Sequence, residues 1–129
     1  MGTDFVSRII RLVTEKSIKV VDDQRGSPTI VDDLAVATLD ALDVGTTGLL
    51  HVTNAGDATW FDLAVAAAES RGLDQTLITA CTSEELPTRA KRPAYSVLAS
   101  ERRSDLGLLP LPHWRESLPL VMQRIEARS

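Results

Sequence analysis

The sequence is poor in the residue types that build disulfides, metal centres and extensive aromatic surfaces. Its 129 residues include one cysteine, two histidines and 4% aromatic residues. Cys81 has no second cysteine with which to form an internal disulfide, which is typical of a reducing compartment, and we expect a cytoplasmic protein. No base lies near Cys81 in the sequence, so a small semi-buried side chain is favoured over a nucleophile. The two histidines lie far from each other and from Cys81, and no transition-metal site is predicted.

Long apolar runs are also absent. The hydrophobic stretches are short and are interrupted by Asp, Thr or Arg, so none has the length needed to span a bilayer. The first residues, MGTDFVSRIIRL, lack the charged leader, apolar core and small-residue cleavage site of a signal peptide. We therefore expect no membrane partner.

An overall excess of basic residues is absent as well. The net charge of −4 argues against general nucleic-acid binding, because a phosphate backbone favours a basic surface. Basic residues are nevertheless dense at Arg89, Lys91 and Arg92, and again at Arg102 and Arg103. A local cationic pocket on an acidic protein suits a small anionic ligand better than a polymer.

The sequence contains none of the common nucleotide-binding or dehydrogenase motifs. No Gly-x-Gly-x-x-Gly follows a predicted strand, and no Gly-x-x-x-x-Gly-Lys-Ser/Thr phosphate loop occurs. The one tyrosine, Tyr95, is followed four residues later by Ala99 and not by lysine. We therefore predict neither cofactor-binding nor catalytic residues in this chain.

Hydrophobic periodicity predicts an α/β domain with few short strands packed with helices. No linker, repeat or low-complexity tract divides the sequence, so one domain over residues 1–129 is expected. The predicted elements are a helix over 4–15, a strand over 18–21, a helix after Thr29, a strand over 49–53, a helix after Thr59 that ends at Gly72, a strand over 77–80, a short helix after Leu98 and a last helix containing Trp114. Three short strands form a thin sheet, which is more stable when it packs on something else.

Two helix starts carry capping-box patterns, Thr29 with Asp32 and Thr59 with Asp62. The inner stripe of the helix that follows Thr29 is predicted to be Leu34, Thr38, Ala41 and Leu42. Trp60 and Trp114 fall on apolar helical stripes, and both are predicted to lie in the core. His51, inside a predicted strand, is expected to be structural.

Five segments occur in one order and spacing that resembles a known family. They are VVDDQRGSPT followed by DDLA, HVTNAG, the Thr59-Trp60 pair, ELPTRAKRPAYSVL and LPLPHWRE. Together they resemble the C-terminal, substrate-binding part of dTDP-4-dehydrorhamnose reductase, an extended short-chain dehydrogenase/reductase. Two departures are His113, where the family usually has Asp before Trp-Arg, and Ala99, where Asp is common. Because of the first departure, the sequence does not show which side chain caps the last helix.

This resemblance implies a function and a missing partner. The family reduces the 4-keto group of a dTDP-linked 6-deoxyhexose with NADPH or NADH, in the synthesis of dTDP-L-rhamnose. In the family, the glycine-rich turn and the Tyr-x-x-x-Lys pair belong to an N-terminal Rossmann core upstream of the segments found here. The chain is therefore expected to bind a dTDP-sugar and to catalyse nothing alone. The bare apolar face that the missing partner leaves also makes homo-oligomers an expected form.

The resemblance also points to substrate-binding residues. A sugar nucleotide carries a pyrophosphate, which forked arginine, amides and hydroxyls bind well. The candidates are Gln24, Arg25, Ser27, Thr29, Lys91 and Arg92. Extended members of the superfamily place an arginine near the position of Arg92 against the pyrophosphate, and Pro93 biases Arg92 towards an extended backbone.

Simpler interpretations remain open. Residues 24–29 are equally typical of a strand-to-helix turn, and Lys91 with Arg92 of a solvated surface pair. The alternative function is a non-enzymatic regulatory or interaction module, like the regulatory subunit of methionine adenosyltransferase, which resembles the same family. A closely related deoxysugar reductase is a further alternative.

Overall fold

Helices and four short strands alternate along residues 4–127, the part of the chain that the computed structural model describes. The α/β prediction is confirmed. The elements are α1 (Phe5–Glu15), β1 (Ile18–Val21), β2 (Arg25–Gly26), α2 (Val31–Asp43), β3 (Ala58–Thr59), α3 (Trp60–Ser70), a 3-10 turn (Gln75–Leu77), β4 (Ile78–Cys81), α4 (Glu101–Asp105) and α5 (Trp114–Ala127). None of the helices in this range is long and apolar enough to cross a membrane.

The strands form two separate pairs. β1 and β4 are parallel, with Ile18 opposite Ile78, whereas β2 and β3 are antiparallel. The prediction of three strands was therefore wrong, and so was the strand over 49–53, where the backbone is irregular. Side chains from the α4 region take up carbonyl oxygens there: Arg102 donates to the Leu49 oxygen and Ser100 to that of His51. Those oxygens are thus bonded to side chains and not to a neighbouring strand.

Helix α3 lies at the centre of the core, between α1 and α5. Its alanines are almost fully buried, and small side chains allow neighbouring helices to approach closely. Leu118 and Met122 of α5 pack with Ile10 of α1 in one cluster around the alanines. Trp114 is 1% exposed, as predicted, and its indole Nε1 donates to the main-chain oxygen of Asp57 at 3.3 Å.

Trp60 is not a core residue, contrary to the prediction. It is 37% exposed, and its ring lies 4.6 Å from that of Phe5, centroid to centroid. As the first residue of α3 it lies at the edge of the helix bundle, where its ring contacts Phe5 and also lines a cleft. Apolar periodicity alone does not distinguish an edge from an interior.

The two predicted capping boxes have different outcomes. At α3 the box is confirmed, since the Asp62 amide donates to Thr59 Oγ1 at 3.0 Å and the Thr59 amide donates to the Asp62 carboxylate at 2.9 Å. At α2 it is wrong. Ile30 is the N-cap, so Thr29 lies one position too early, and its hydroxyl donates to the Ser27 oxygen instead.

The side chain of buried Asn54, and not that of Thr29, accepts a backbone hydrogen bond at the start of α2. Asn54 is 2% exposed; its Oδ1 accepts from the Ile30 amide at 2.8 Å, and its Nδ2 donates to Asp33 and to the Pro112 oxygen. At α5, the amide of Arg115 donates to His113 Nδ1 at 3.2 Å. The imidazole of His113 therefore caps the start of α5, a position at which the family usually has a carboxylate.

Helix α2 presents apolar side chains to solvent. Only Ala37 is buried, and Thr38 and Leu42 of the predicted inner stripe are exposed. Val31, Ala35, Leu39 and Leu42 recur every three or four residues and are all exposed, so they form one strip on the helix, here called the α2 apolar face. Exposed apolar strips of this kind are typical of contact surfaces.

We predict that the α2 apolar face drives self-association of the 129-residue chain. The double substitution Leu39→Gln and Leu42→Gln should shift the sedimentation coefficient towards that of a monomer. Because both positions are exposed, we expect the free energy of unfolding to change by no more than about 0.5 kcal/mol per site. Leu109→Gln, at another exposed leucine, is the matched control and should leave association unchanged. Identical sedimentation of wild type and the double variant would contradict the prediction.

Candidate functional site

The backbone of Arg25 joins two segments that are distant in the sequence. On one side, Arg25 pairs with Thr59 in the β2–β3 ladder. On the other, its amide donates to the Ala94 oxygen at 2.8 Å, and its oxygen accepts from the Ser96 amide at 2.8 Å. Residues 94–96 thus lie alongside β2 as an extra extended segment. This arrangement places Arg92 and Pro93 next to residues 24–27.

A cleft opens where these three segments meet. Its volume is about 350 Å³. We call it the first cleft; its lining residues are Gln24, Arg25, Gly26, Ser27, Pro28, Thr53, Ala58, Thr59, Trp60, Leu63, Arg92, Pro93, Ser96 and Leu98.

Four of the six predicted substrate-binding residues line the first cleft. Gln24, Arg25, Ser27 and Arg92 come together there, although Arg92 is far from the others in the sequence. The other two candidates, Thr29 and Lys91, do not line it. The hydroxyl of Thr29 donates to the Ser27 oxygen at 3.0 Å, so it braces the turn.

The two arginines of the first cleft differ in their ionic partners. Arg25 donates through Nη1 to the Asp57 carboxylate, and its Nη2 lies 3.6 Å from an oxygen of Asp62. Its charge is therefore already balanced. Arg92 is exposed, and no carboxylate within residues 4–127 forms an ion pair with it. Of the two, Arg92 has the guanidinium that is available to an anionic ligand.

One wall of the first cleft is apolar. Trp60, Leu63 and Ala58 line it together with Pro93. The half-exposed Trp60 ring offers a flat surface suited to a planar group. Sequence analysis missed Trp60 as a site residue because it was assigned to the core, although its place beside a capping Thr59 marks it as the first residue of a helix.

Gly26 permits a close approach at the centre of the site. A Cβ atom built on Gly26 would lie 3.0 Å from Ser96 Oγ, which is tighter than ordinary contact. Glycine therefore lets the 94–96 segment lie directly against β2.

Ser83 orients Gln24, and sequence analysis did not identify it. Gln24 Nε2 donates to Ser83 Oγ at 2.8 Å, and Ser83 in turn donates from its hydroxyl to Asp23 Oδ1 at 2.6 Å and from its amide to Oδ2 at 2.8 Å. These hydrogen bonds from Ser83 hold the pKa of Asp23 below its ordinary value. The network ties the end of β1 to the end of β4.

Among the described residues, neither a metal site nor a reactive thiol accompanies the first cleft. Residues 4–127 contain no cluster of His, Cys, Asp and Glu side chains that could hold a metal ion. Cys81 is 3% exposed, and burial raises the pKa of its thiol. A buried, protonated thiol is a poor nucleophile, in agreement with the structural role expected for it.

Comparisons with known proteins agree with the order of the motifs. Residues 1–127 match the family model described as the RmlD substrate binding domain. The chain is 45% identical over 119 residues to dTDP-4-dehydrorhamnose reductase of Mycolicibacterium smegmatis, covering 91% of this chain and 36% of that protein.

Two solved structures have the same fold. A dTDP-4-dehydrorhamnose reductase ortholog from Clostridium acetobutylicum superposes with a TM-score of 0.91 at 36% identity, over 97% of this chain and 45% of that one. The Bacillus anthracis enzyme, solved in complex with NADP, gives 0.87 at 32% identity, over 100% of this chain and 44% of that one. The chain thus spans less than half the length of these relatives.

We predict that Ser83→Ala raises the pKa of Asp23 towards its ordinary value, because the hydroxyl donor is lost while the amide donor remains. A carboxyl whose pKa is depressed by folding stabilises the fold above its unfolded pKa, and this stabilisation is lost as the pH falls through the folded pKa. The part of the acid-side loss of stability that comes from Asp23 should therefore be smaller in the variant and be complete at a higher pH. Carboxyl-carbon NMR titration measures the shift directly.

Asp74 provides the internal control for this titration. Its pKa is lowered by the Thr76 hydroxyl and amide, far from Ser83, and should not change. Ser83→Thr, which keeps the hydroxyl, should restore the Asp23 value. An Asp23 pKa that is the same in wild type and Ser83→Ala would contradict the proposed network.

Proposed function

Because this chain belongs to the RmlD substrate-binding-domain family, we propose that its first cleft binds the nucleotide diphosphate of a dTDP-linked 6-deoxyhexose. The residues proposed to contact this ligand are Gln24, Arg25, Ser27 and Arg92. Thr29 braces the loop, and Lys91 supplies only nearby positive charge. One domain over residues 1–129 carries this function.

The observation that carries the proposal is that Arg92 lines the first cleft and forms no ion pair within residues 4–127. A pyrophosphate needs at least one cation that the protein has not already neutralised, and Arg25 is balanced by Asp57 and Asp62. Charge-assisted hydrogen bonds from a guanidinium to phosphate oxygens are stronger than neutral ones. Gln24 and Ser27 add neutral polar groups, and Trp60 offers a flat apolar face to a base or sugar ring.

In the complete reaction, hydride would come from NADPH or NADH bound outside this chain. The Bacillus anthracis relative is solved with NADP, and this chain covers 44% of it. The described residues have no Tyr-x-x-x-Lys pair that could protonate a carbonyl oxygen. We therefore propose that the chain supplies the substrate wall of a 4-ketoreductase, in the cytoplasm, and that it does not turn over NADPH alone.

The alternative of a non-enzymatic interaction module makes a different prediction for the first cleft. Such a module would use the exposed α2 apolar face and would not need an anion-binding cleft. The relatives above are named as reductases, and nothing in the first cleft favours the alternative.

We predict that Arg92→Ala weakens dTDP binding by about 1.5 to 3 kcal/mol, the usual range for a hydrogen bond to a charged group. Arg92→Lys should recover part of this loss, because an ammonium keeps the charge but not the two-pronged geometry. Isothermal titration of dTDP into the 129-residue chain measures the effect.

Lys91→Ala is the matched control for this titration. It removes the same charge one residue away, outside the first cleft, and should alter affinity only slightly. Equal losses of dTDP affinity in Lys91→Ala and Arg92→Ala would mean that general electrostatic attraction, and not a direct contact by Arg92, causes the effect. Undiminished dTDP affinity in Arg92→Ala would overturn the proposed contact. Turnover of NADPH by the purified chain would overturn the proposal that this chain binds only the substrate.

A further inference from the structure

A second cleft adjoins the first and contains a buried arginine. It has a volume of about 300 Å³ and shares Ser27, Thr53 and Leu98 with the first cleft. Arg103 of α4 lines it and is 4% exposed. An almost fully buried arginine is uncommon unless its charge and N–H groups are satisfied.

The guanidinium of Arg103 is only partly satisfied. Its Nη2 donates to the main-chain oxygen of Leu109. Its Nε and Nη1 are buried and have no hydrogen-bond partner among residues 4–127. A buried donor left unpaired loses its hydration without replacement, and the loss is larger for a charged group.

Arg103 has no neutralising carboxylate in the described part of the chain. Within residues 4–127 no acidic side chain lies within ion-pair distance of it. Asp57 also lines the second cleft, but it is paired with Arg25. The neighbouring side chains of Leu108 and Leu111 are buried and apolar, so an uncharged residue would suit the position of Arg103. The unpaired charge therefore points to an anionic partner that is not part of residues 4–127.

Hydroxyl groups around the second cleft can donate to such a partner. Those of Thr53 and Ser104 form no hydrogen bond within the described residues. Ser27 Oγ accepts from the Leu98 amide at 3.3 Å, which leaves its own hydrogen for another acceptor. A phosphate group presents more acceptor oxygens than a carboxylate does, so it can accept from more of these donors at once.

We propose that the second cleft binds a phosphate group, with Arg103 as its charged ligand and hydroxyls of Thr53, Ser104 and Ser27 as neutral donors. The phosphate belongs either to a separate phosphate compound or to a nucleotide that extends from the first cleft. The nucleotide source rests on the proposed function of the first cleft, whereas a separate phosphate compound does not, because Arg92 does not line the second cleft.

Inorganic phosphate is the probe, titrated into the 129-residue chain and followed by calorimetry. Arg103→Met should lower phosphate affinity at least tenfold while leaving the chain folded, because methionine fills the buried volume without an unpaired charge. Arg11→Met, which removes an equal charge from an exposed position on α1, is the matched control and should keep the wild-type affinity. Equal affinity in Arg103→Met and wild type would overturn the proposal.

A measurement on the wild type keeps the proposal testable even where Arg103→Met fails to fold. The side-chain Nε–H resonance of Arg103 should shift and saturate with phosphate in ¹H–¹⁵N NMR spectra, since this group gains an acceptor. A resonance unmoved at saturating phosphate would overturn the proposal.

Adding dTDP to the phosphate-saturated chain distinguishes the two sources. Release of phosphate would assign the second cleft to the phosphate of a nucleotide, and its retention would assign the second cleft to a separate phosphate compound. Arg92→Ala should bind inorganic phosphate as well as the wild type. Loss of dTDP binding alone therefore counts against the first cleft, and loss of the Arg103 response alone counts against the second.

Discussion

The backbone hydrogen bonds on both sides of Arg25 are the constraint on which the site depends. β2 is only two residues long, yet it pairs with β3 on one side and with residues 94–96 on the other. Without the second pairing, Arg92 and Pro93 would belong to an exposed loop with no fixed relation to residues 24–27. A second bridge, between Ala55 and His113, joins the turn beside β3 to the start of α5. Two short pairings thus bring the separated sequence motifs together.

The chemistry of the site follows from the different surroundings of three arginines. Arg25 is balanced by two carboxylates, so its proposed contact with the ligand adds hydrogen bonds but no net positive charge. Arg92 is exposed and unpaired within the described residues, which leaves it available to a ligand that arrives from solvent. Arg103 is buried, and two of its nitrogens have no hydrogen-bond partner within residues 4–127, so we propose that it binds a group of opposite charge. Identical side chains acquire different roles because burial and neighbouring charges differ.

Sequence analysis predicted the features that local patterns determine. α1, α3 and α5, the Thr59–Asp62 box and buried Trp114 follow from helical periodicity and capping chemistry. The predictions for residues 49–53 and for the start of α2 were wrong, because side chains distant in the sequence determine both. Residues of the α4 region donate to the backbone of residues 49–53, and Asn54 accepts from the Ile30 amide. The motifs led to four of the residues that line the first cleft. Ser83 and Trp60 were missed since their places depend on how the end of β4 and the edge of α3 pack.

We propose that residues of β2, β3 and the 92–98 segment form one nucleotide site. Titration of dTDP into the ¹⁵N-labelled chain, followed by amide chemical shifts, tests it most directly. We expect the amides of Gly26, Ser27, Thr59 and Ser96 to shift together with a single dissociation constant, while those of the exposed side of α2 remain unchanged. Shifts confined to α2, or no shifts in β2 and the 92–98 segment at saturating dTDP, would contradict the account.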